Sequence, residues 1–343
     1  MQHRVEKAGP LLKEDGSLRE AGYATSPLLR YDRNAVAASA LRIKEWDYYL
    51  VLCDTHALAL TIADNAYMGL DSVSLLDFTG PWAHTASRIR LLPMGKTGLP
   101  ASSEAGDTAV SRRRYRLGFS HEGGARLLRV RMERFADGQT IEGEIRLTDA
   151  PQDSMVVATP FAENHKAFYY NQKINCMRAE GEVRLGGKVF PFKPETSFGT
   201  LDWGRGVWTY RNTWYWGSCS GLAEGAPFGL NLGYGFGDTS AASENMIFFE
   251  GRGHKLSKVV FEIPLTNGRE DFMRPWRVTS GDHRLALDFM PVIDRASKMS
   301  LGILSSDQHQ VFGRFMGKAV LGDGRVLSVG GLTGFMEKVT NKW

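Results

Sequence analysis

With 343 residues, 43% of them hydrophobic and 23% charged, the chain has the composition of a globular protein and is neither disordered nor fibrous. Its length suits two cores of about 150 to 170 residues each, and a net charge of +4 lacks the Lys/Arg density of a dedicated nucleic-acid binder, so no nucleic-acid partner is expected. Cys53, Cys176 and Cys219 are widely spaced without a C-x-x-C, and the N-terminus MQHRVEKAGPLLKEDG has no apolar signal core; disulfide framework, thiolate zinc site and membrane span are all argued against, and a cytoplasmic location is expected.

Residues 1–40 read as an irregular arm with one short helical turn. From Leu41 onward the hydrophobic period is mostly two. LRIKEWDYYLVLCD, HALALTIADNAY and GLDSVSLLDF are aromatic and β-branched runs separated by Asp, Asn, His and Gly, the punctuation of adjacent antiparallel strands. SRRRYRLGFS, ARLLRVRMERF and TIEGEIRLT alternate in the same way, and Asp137-Gly138 is a two-residue hairpin signal. If Ala136 and Gln139 flank that turn, Arg131 falls opposite Glu144.

The segment near Ala150–Ala167 breaks the pattern. It divides a first β unit, 41–160, from a second, 161–343. Strand signals then run from FYYNQKINCMRAEGEVRL to RVLSVGGLTGF, with no sustained helical period. The fold class is all-β, two consecutive antiparallel barrels or sandwiches.

Within the second unit, Ser197–Asp238 holds Trp203, Trp208, Trp214 and Trp216 among many glycines. Large rings beside glycine build either a dense core or an aromatic-walled pocket. In extended backbone Trp214 and Trp216 share one face and Tyr215 the other. On Pro227–Gly237, Phe228, Leu230, Leu232, Tyr234 and Phe236 share one face; Asn231 is the one functional side chain on the opposite, glycine face. That face makes room either for a ligand or for neighbouring rings. Asp202 and Arg205 are the nearest charges: among indoles Asp202 would be desolvated and become a usable general acid, whereas paired with Arg205 it would merely stabilise a turn. Glu244 and Asn245 open an apolar strand and point to opposite faces, so at most one of them joins Asn231. Glu45 and Asp47 share a face and read as exposed rim. The eight histidines show no ligand spacing, so no metal is expected.

K-E-W-D-Y-Y at Lys44–Tyr49, F-G-T-L-D-W-G-R-G-V-W at Phe198–Trp208, G-x-N-x-G-x-G-F-G-D at Gly229–Asp238, S-E-N at Ser243–Asn245 and F-x-P-x-x-D-R at Phe289–Arg295 resemble a bacterial family, domain of unknown function 2804, over nearly the whole chain. More distantly, small-Gly-x-x-Asp-Trp followed by Trp-x-Trp and a glycine-rich strand is similar to the tandem lipocalin-like group that includes carotenoid hydratases and tocopherol cyclases. That resemblance implies a lipocalin-like fold and an acid that protonates an olefin in an apolar cavity, with Asp202 at the matching position. The Asp-His/Arg-Glu-Trp run of that group is replaced here by Asp202-Trp203-Gly204-Arg205.

The expected function is binding of an apolar or amphipathic small molecule, a lipid or isoprenoid, with cofactor-free hydratase, cyclase or isomerase chemistry. Asp202 would be catalytic, with Trp203, Arg205, Trp208, Trp214, Trp216, Asn231, Glu244 and Asn245 binding the ligand. A non-catalytic lipid carrier and a carbohydrate-binding protein are the alternatives. A carrier needs only an apolar lining, whereas a sugar site needs exposed rings in an open groove.

Overall fold

The computed structural model describes residues 2–302 and 304–342. Among these residues the chain is all-β, with 3-10 turns at Arg33–Ala35 and Ala40–Arg42 as its only helical elements. Among the described residues no helix is long and apolar enough to cross a membrane. Two antiparallel sheets of 13 and 9 strands carry the fold, each a curled half-barrel.

Alternation drives the outer strands. Along Gln139–Thr148, Ile141, Ile145 and Leu147 are buried while Glu142, Glu144 and Arg146 lie outward, as a half-buried strand requires. The Asp137-Gly138 hairpin forms with Ala136 opposite Gln139, but Arg131 faces Glu142, not Glu144. A bulge between Met132 and Ala136 shifts the register, and Arg134 within it has φ 53°. The shift is by two residues, so it preserves which face each side chain occupies.

The sheets change over between Val207 and Arg211 rather than near Ala150–Ala167. Phe198–Val207 inserts into the first sheet between Ile43–Leu52 and Asn164–Leu185, whereas Arg211–Ala223 begins the second sheet. The expected boundary segment contains Met155–Phe161, which pairs with Asn164–Leu185. The pairing of Phe198–Val207 with the distant Ile43–Leu52 leaves no local sequence signal. The N-terminal residues are tied down too: Gly22–Ala24 pairs with Met155–Phe161, and Val5, Leu11 and Tyr31 are buried.

Phe198–Val207 is buried at every position because both of its faces are covered. One face, Leu201, Trp203 and Arg205, enters the core of the first half. The other, Thr200, Asp202 and Gly204, meets the second sheet; Thr200 Oγ1 lies 3.1 Å from Ser220 Oγ. Gly204 is required by this packing, since a Cβ there would sit 2.1 Å from the Trp46 ring. One apolar cluster accordingly runs across both sheets, taking in Trp203 and Trp208 as well as Trp216, Phe312 and Phe335. The second half has a further core of its own around Leu230, Trp276 and Phe289.

A candidate acid–base site between the sheets

Polar side chains converge where the sheets face each other. Lys173 on Asn164–Leu185 and Asp202 on Phe198–Val207 are register partners, so their side chains leave the sheet side by side. Lys173 Nζ is 2.9 Å from Asp202 Oδ1, and Asn171 Nδ2 donates to the same oxygen at 2.6 Å. Lys173 is 1% exposed. Its ammonium also lies 3.8 Å from the centre of the Trp216 ring on the second sheet, a cation–π contact stripped of water.

Trp216 Nε1 donates to Asn231 Oδ1 at 2.7 Å, and Asn231 Nδ2 donates to the backbone carbonyl of Glu244 at 2.9 Å. Asn231 thus fixes both the indole and the turn that delivers Glu244. The Glu244 side chain enters over the glycine face: a Cβ on Gly233 would lie 1.9 Å from its Oε1. Tyr169 donates to Oε2 at 3.3 Å, while Oε1 has no partner. Burial pushes the Glu244 carboxyl up to about 7; Lys173 works against that rise and Asp202 adds to it.

Beside Asp202, Asn171 Oδ1 is buried without a partner, and Tyr48, the register partner of Asp202, turns its hydroxyl toward Gln310. Tyr48 packs edge-on against Trp216 at 5.8 Å, and burial pushes its hydroxyl up to about 12. Beyond Tyr48 the polar layer continues to Glu337, which accepts from Trp214 Nε1 and Gln310 Nε2, each at 2.8 Å. Arg295 reaches across the sheets to Ser74 Oγ at 2.6 Å. The apolar wall is aromatic: Trp208 contacts Trp214, Tyr169 and Trp46 at centroid distances of 5.3, 5.6 and 5.9 Å.

Of the residues singled out in the sequence, the structure brings together Asp202, Trp208, Trp214, Trp216, Asn231 and Glu244. Trp203 and Arg205 lie on the opposite face of their strand. Arg205 points away from Asp202, donates to Asp47 Oδ1 at 3.0 Å and to the carbonyls of Trp46 and Pro100, and covers the Trp203 ring at 4.3 Å. Asp47 is therefore a buried partner of Arg205, and Glu45, buried too, accepts from Tyr31 and Arg33; neither is an exposed rim. Asn245 is consumed structurally, accepting from Gly233 N–H and donating to Ser257 O. Phe236 does not share a face with Leu232: its strand ends at Tyr234, Gly235 turns with φ 91°, and Phe236 stacks on Tyr169 at 4.9 Å. Lys173, Asn171, Tyr169, Tyr48, Gln310 and Glu337 were not singled out. For Tyr169, Asn171 and Lys173 the signal is present in FYYNQKINC, where Tyr169, Asn171, Lys173 and Asn175 occupy alternate positions of one buried strand.

Among solved structures, the fold is similar to that of a protein from Nitrosomonas europaea provisionally designated AttH, with 16% identity, a TM-score of 0.55, and 96% of this chain and 98% of that chain covered. CghA, solved with Sch210972, matches at 11% identity and a TM-score of 0.55, covering 98% and 97%. Kievitone hydratase from Nectria haematococca matches at 9% identity and a TM-score of 0.49, covering 98% of each. At such identities the likeness concerns the fold. The comparison with curated proteins gives no match. The family described as Domain of unknown function (DUF2804) matches residues 2–343, and the chain belongs to that family.

Proposed function

We propose that the protein binds an apolar or amphipathic small molecule between its two sheets and transfers a proton to or from it at Glu244. The observation that carries this reading is the Glu244 carboxyl, 2% exposed, with one oxygen unpartnered and its protonation brought to about 7. A carboxyl titrating near neutrality is suited to general acid–base work. Asp202, already engaged by Lys173 and Asn171, supplies a fixed charge pair beside it. The unpartnered Asn171 Oδ1 offers a hydrogen-bond acceptor to a polar ligand group. The carbohydrate reading loses support because Trp208 and Trp216 are buried, not displayed in an open groove.

The test begins with native mass spectrometry and organic extraction of the purified protein, and with tryptophan emission during titration with 1-anilinonaphthalene-8-sulfonate. A retained apolar compound and saturable quenching are expected; neither appearing would overturn the reading. Any extracted compound is then incubated with wild type and Glu244→Gln in D2O. Deuterium incorporation by wild type alone supports proton transfer, whereas binding without incorporation in either protein identifies a carrier.

A further inference from the structure

A second cluster lies at the hairpin joining Ile43–Leu52 to His56–Asp64. Asp54 and Thr55 form its two-residue tip, and the Cys53 N–H donates to the His56 carbonyl at 3.0 Å. Cys53 and His56 are thus the flanking pair of the turn, whose side chains leave the same face. Cys53 Sγ is 3.5 Å from His56 Nδ1 and 3.7 Å from Nε2. Thr55 Oγ1 lies 2.9 Å from His56 Nδ1 and 3.4 Å from the sulfur. Phe190 and Phe192 pack edge-on against the imidazole at 5.4 and 4.7 Å. The tip is anchored to the second sheet, where Arg314 Nη1 and Thr333 Oγ1 donate to Asp54 Oδ1 at 2.7 and 2.8 Å.

Cys53, Thr55 and His56 form part of the wall of an open groove of about 360 Å³ whose other side carries Lys188 and Lys193. Lys188 is paired with Asp77, and Lys193 is exposed at the rim. None of these residues belongs to the site between the sheets. We propose that Cys53 is the nucleophile of a second site, which takes a small carboxylate-bearing disulfide in the lysine-flanked groove and forms a mixed disulfide with it.

In the step, Cys53 passes its proton to His56 and its sulfur attacks one sulfur of the disulfide. The S–S bond of the reagent breaks, a Cys53 S–S bond forms, and the departing thiolate takes up the proton. Cys53 is oxidised and the departing half is reduced to a thiol, so no other oxidant is needed. Burial opposes ionisation of Cys53, but hydrogen bonding from His56 and Thr55 brings the thiol down to about 7. Burial pushes Cys176 up to about 12 and Cys219 higher still, which makes both internal controls.

The test uses the full chain with oxidised glutathione near pH 7, read by intact mass and peptide mapping. One glutathione adduct on Cys53, removed by dithiothreitol, is expected. The rate of alkylation by the neutral reagent iodoacetamide should rise with a midpoint near pH 7. His56→Asn should move that midpoint up and slow labelling at neutral pH about tenfold, as expected for a thiol returned to its ordinary range. Lys193→Glu should slow the reaction with the anionic disulfide and leave iodoacetamide unaffected. An adduct on Cys176 or Cys219, a wild-type midpoint of ordinary thiol value, or equal effects of Lys193→Glu on both reagents would overturn the proposal. The wild-type profile alone decides the thiol's acidity should His56→Asn fail to fold.

Discussion

Glu244→Gln converts the electrostatics of the buried polar layer into a measurable difference. In the folded protein the carboxyl is raised from an ordinary 4.5 to about 7, a difference worth about 3 kcal/mol. The sign follows from where the proton prefers to be. Between these two values the folded state holds it more tightly than the unfolded chain, so this contribution is complete below about pH 4.5 and is lost as pH rises through about 7. Glutamine has nearly the same shape, cannot titrate, and keeps an acceptor for Tyr169. The stability difference between variant and wild type should therefore be constant at low pH and move in the variant's favour by about 3 kcal/mol by pH 8. Lys44, lowered by burial to about 7, gives an opposite trend at higher pH but is the same in both proteins and cancels; Lys255, also lowered by burial to about 7, is held up in wild type by the Glu244 charge, so in the variant it falls further and offsets part of the gain near and above pH 7. Urea unfolding followed by tryptophan emission reads the stability difference, and the carboxyl C=O stretch in wild-type-minus-variant infrared spectra reads the titration itself. A pH-independent stability difference, with no protonated-carboxyl band surviving above about pH 5, would refute the reasoning.

Asp202→Asn should cost about 3 to 5 kcal/mol in chemical denaturation, because it leaves the Lys173 ammonium buried without its carboxylate; adding Lys173→Met should recover most of that loss. Gly233→Ala should lower stability by about 1 to 3 kcal/mol through collision of its Cβ with Glu244 Oε1, and the loss should shrink when combined with Glu244→Ala, a coupling that a double-mutant cycle detects. Arg205→Met should destabilise by breaking the bond to Asp47, yet leave the quenching by 1-anilinonaphthalene-8-sulfonate unchanged per folded molecule, since Arg205 faces the core of the first half.

Period-two patterning and the Asp137-Gly138 turn were enough to read the fold class, because both act over a few residues. Register was harder. The bulge around Arg134 adds residues to one strand only, and nothing in ARLLRVRMERFADG separates a bulged from a regular strand. The Trp/Gly-rich stretch reads as one region but is shared between two sheets: Trp203 belongs to a strand that pairs with residues 43–52, Trp214 and Trp216 to one that pairs with residues 334–342. Its glycines serve side chains delivered from elsewhere, Gly204 the Trp46 ring and Gly233 the Glu244 carboxyl, so their purpose becomes visible only once distant segments meet. Asp202 was legible as a polar exception among apolar neighbours. Its partner was not, because Arg205 is close in sequence and on the wrong face, while Lys173 is 29 residues away and directly opposite.

Asp202 and Glu244 occupy one buried layer and differ in what answers their charge. Asp202 has an ammonium and an amide on the same oxygen, and Lys173 is itself held against the Trp216 ring; a proton placed on Asp202 would break a contact that spans both sheets. Glu244 has one distant hydroxyl and an oxygen with no hydrogen-bond partner, and the Lys173 and Lys255 charges act on it without an ion pair, so a proton on it would break no close pairing. On the proposed function, the arrangement separates a group that ties the two sheets together from one that transfers the proton, the division seen where two carboxyls share a site in unlike surroundings. Gly233 makes that freedom possible, because any larger residue would fill the space into which the Glu244 carboxyl projects.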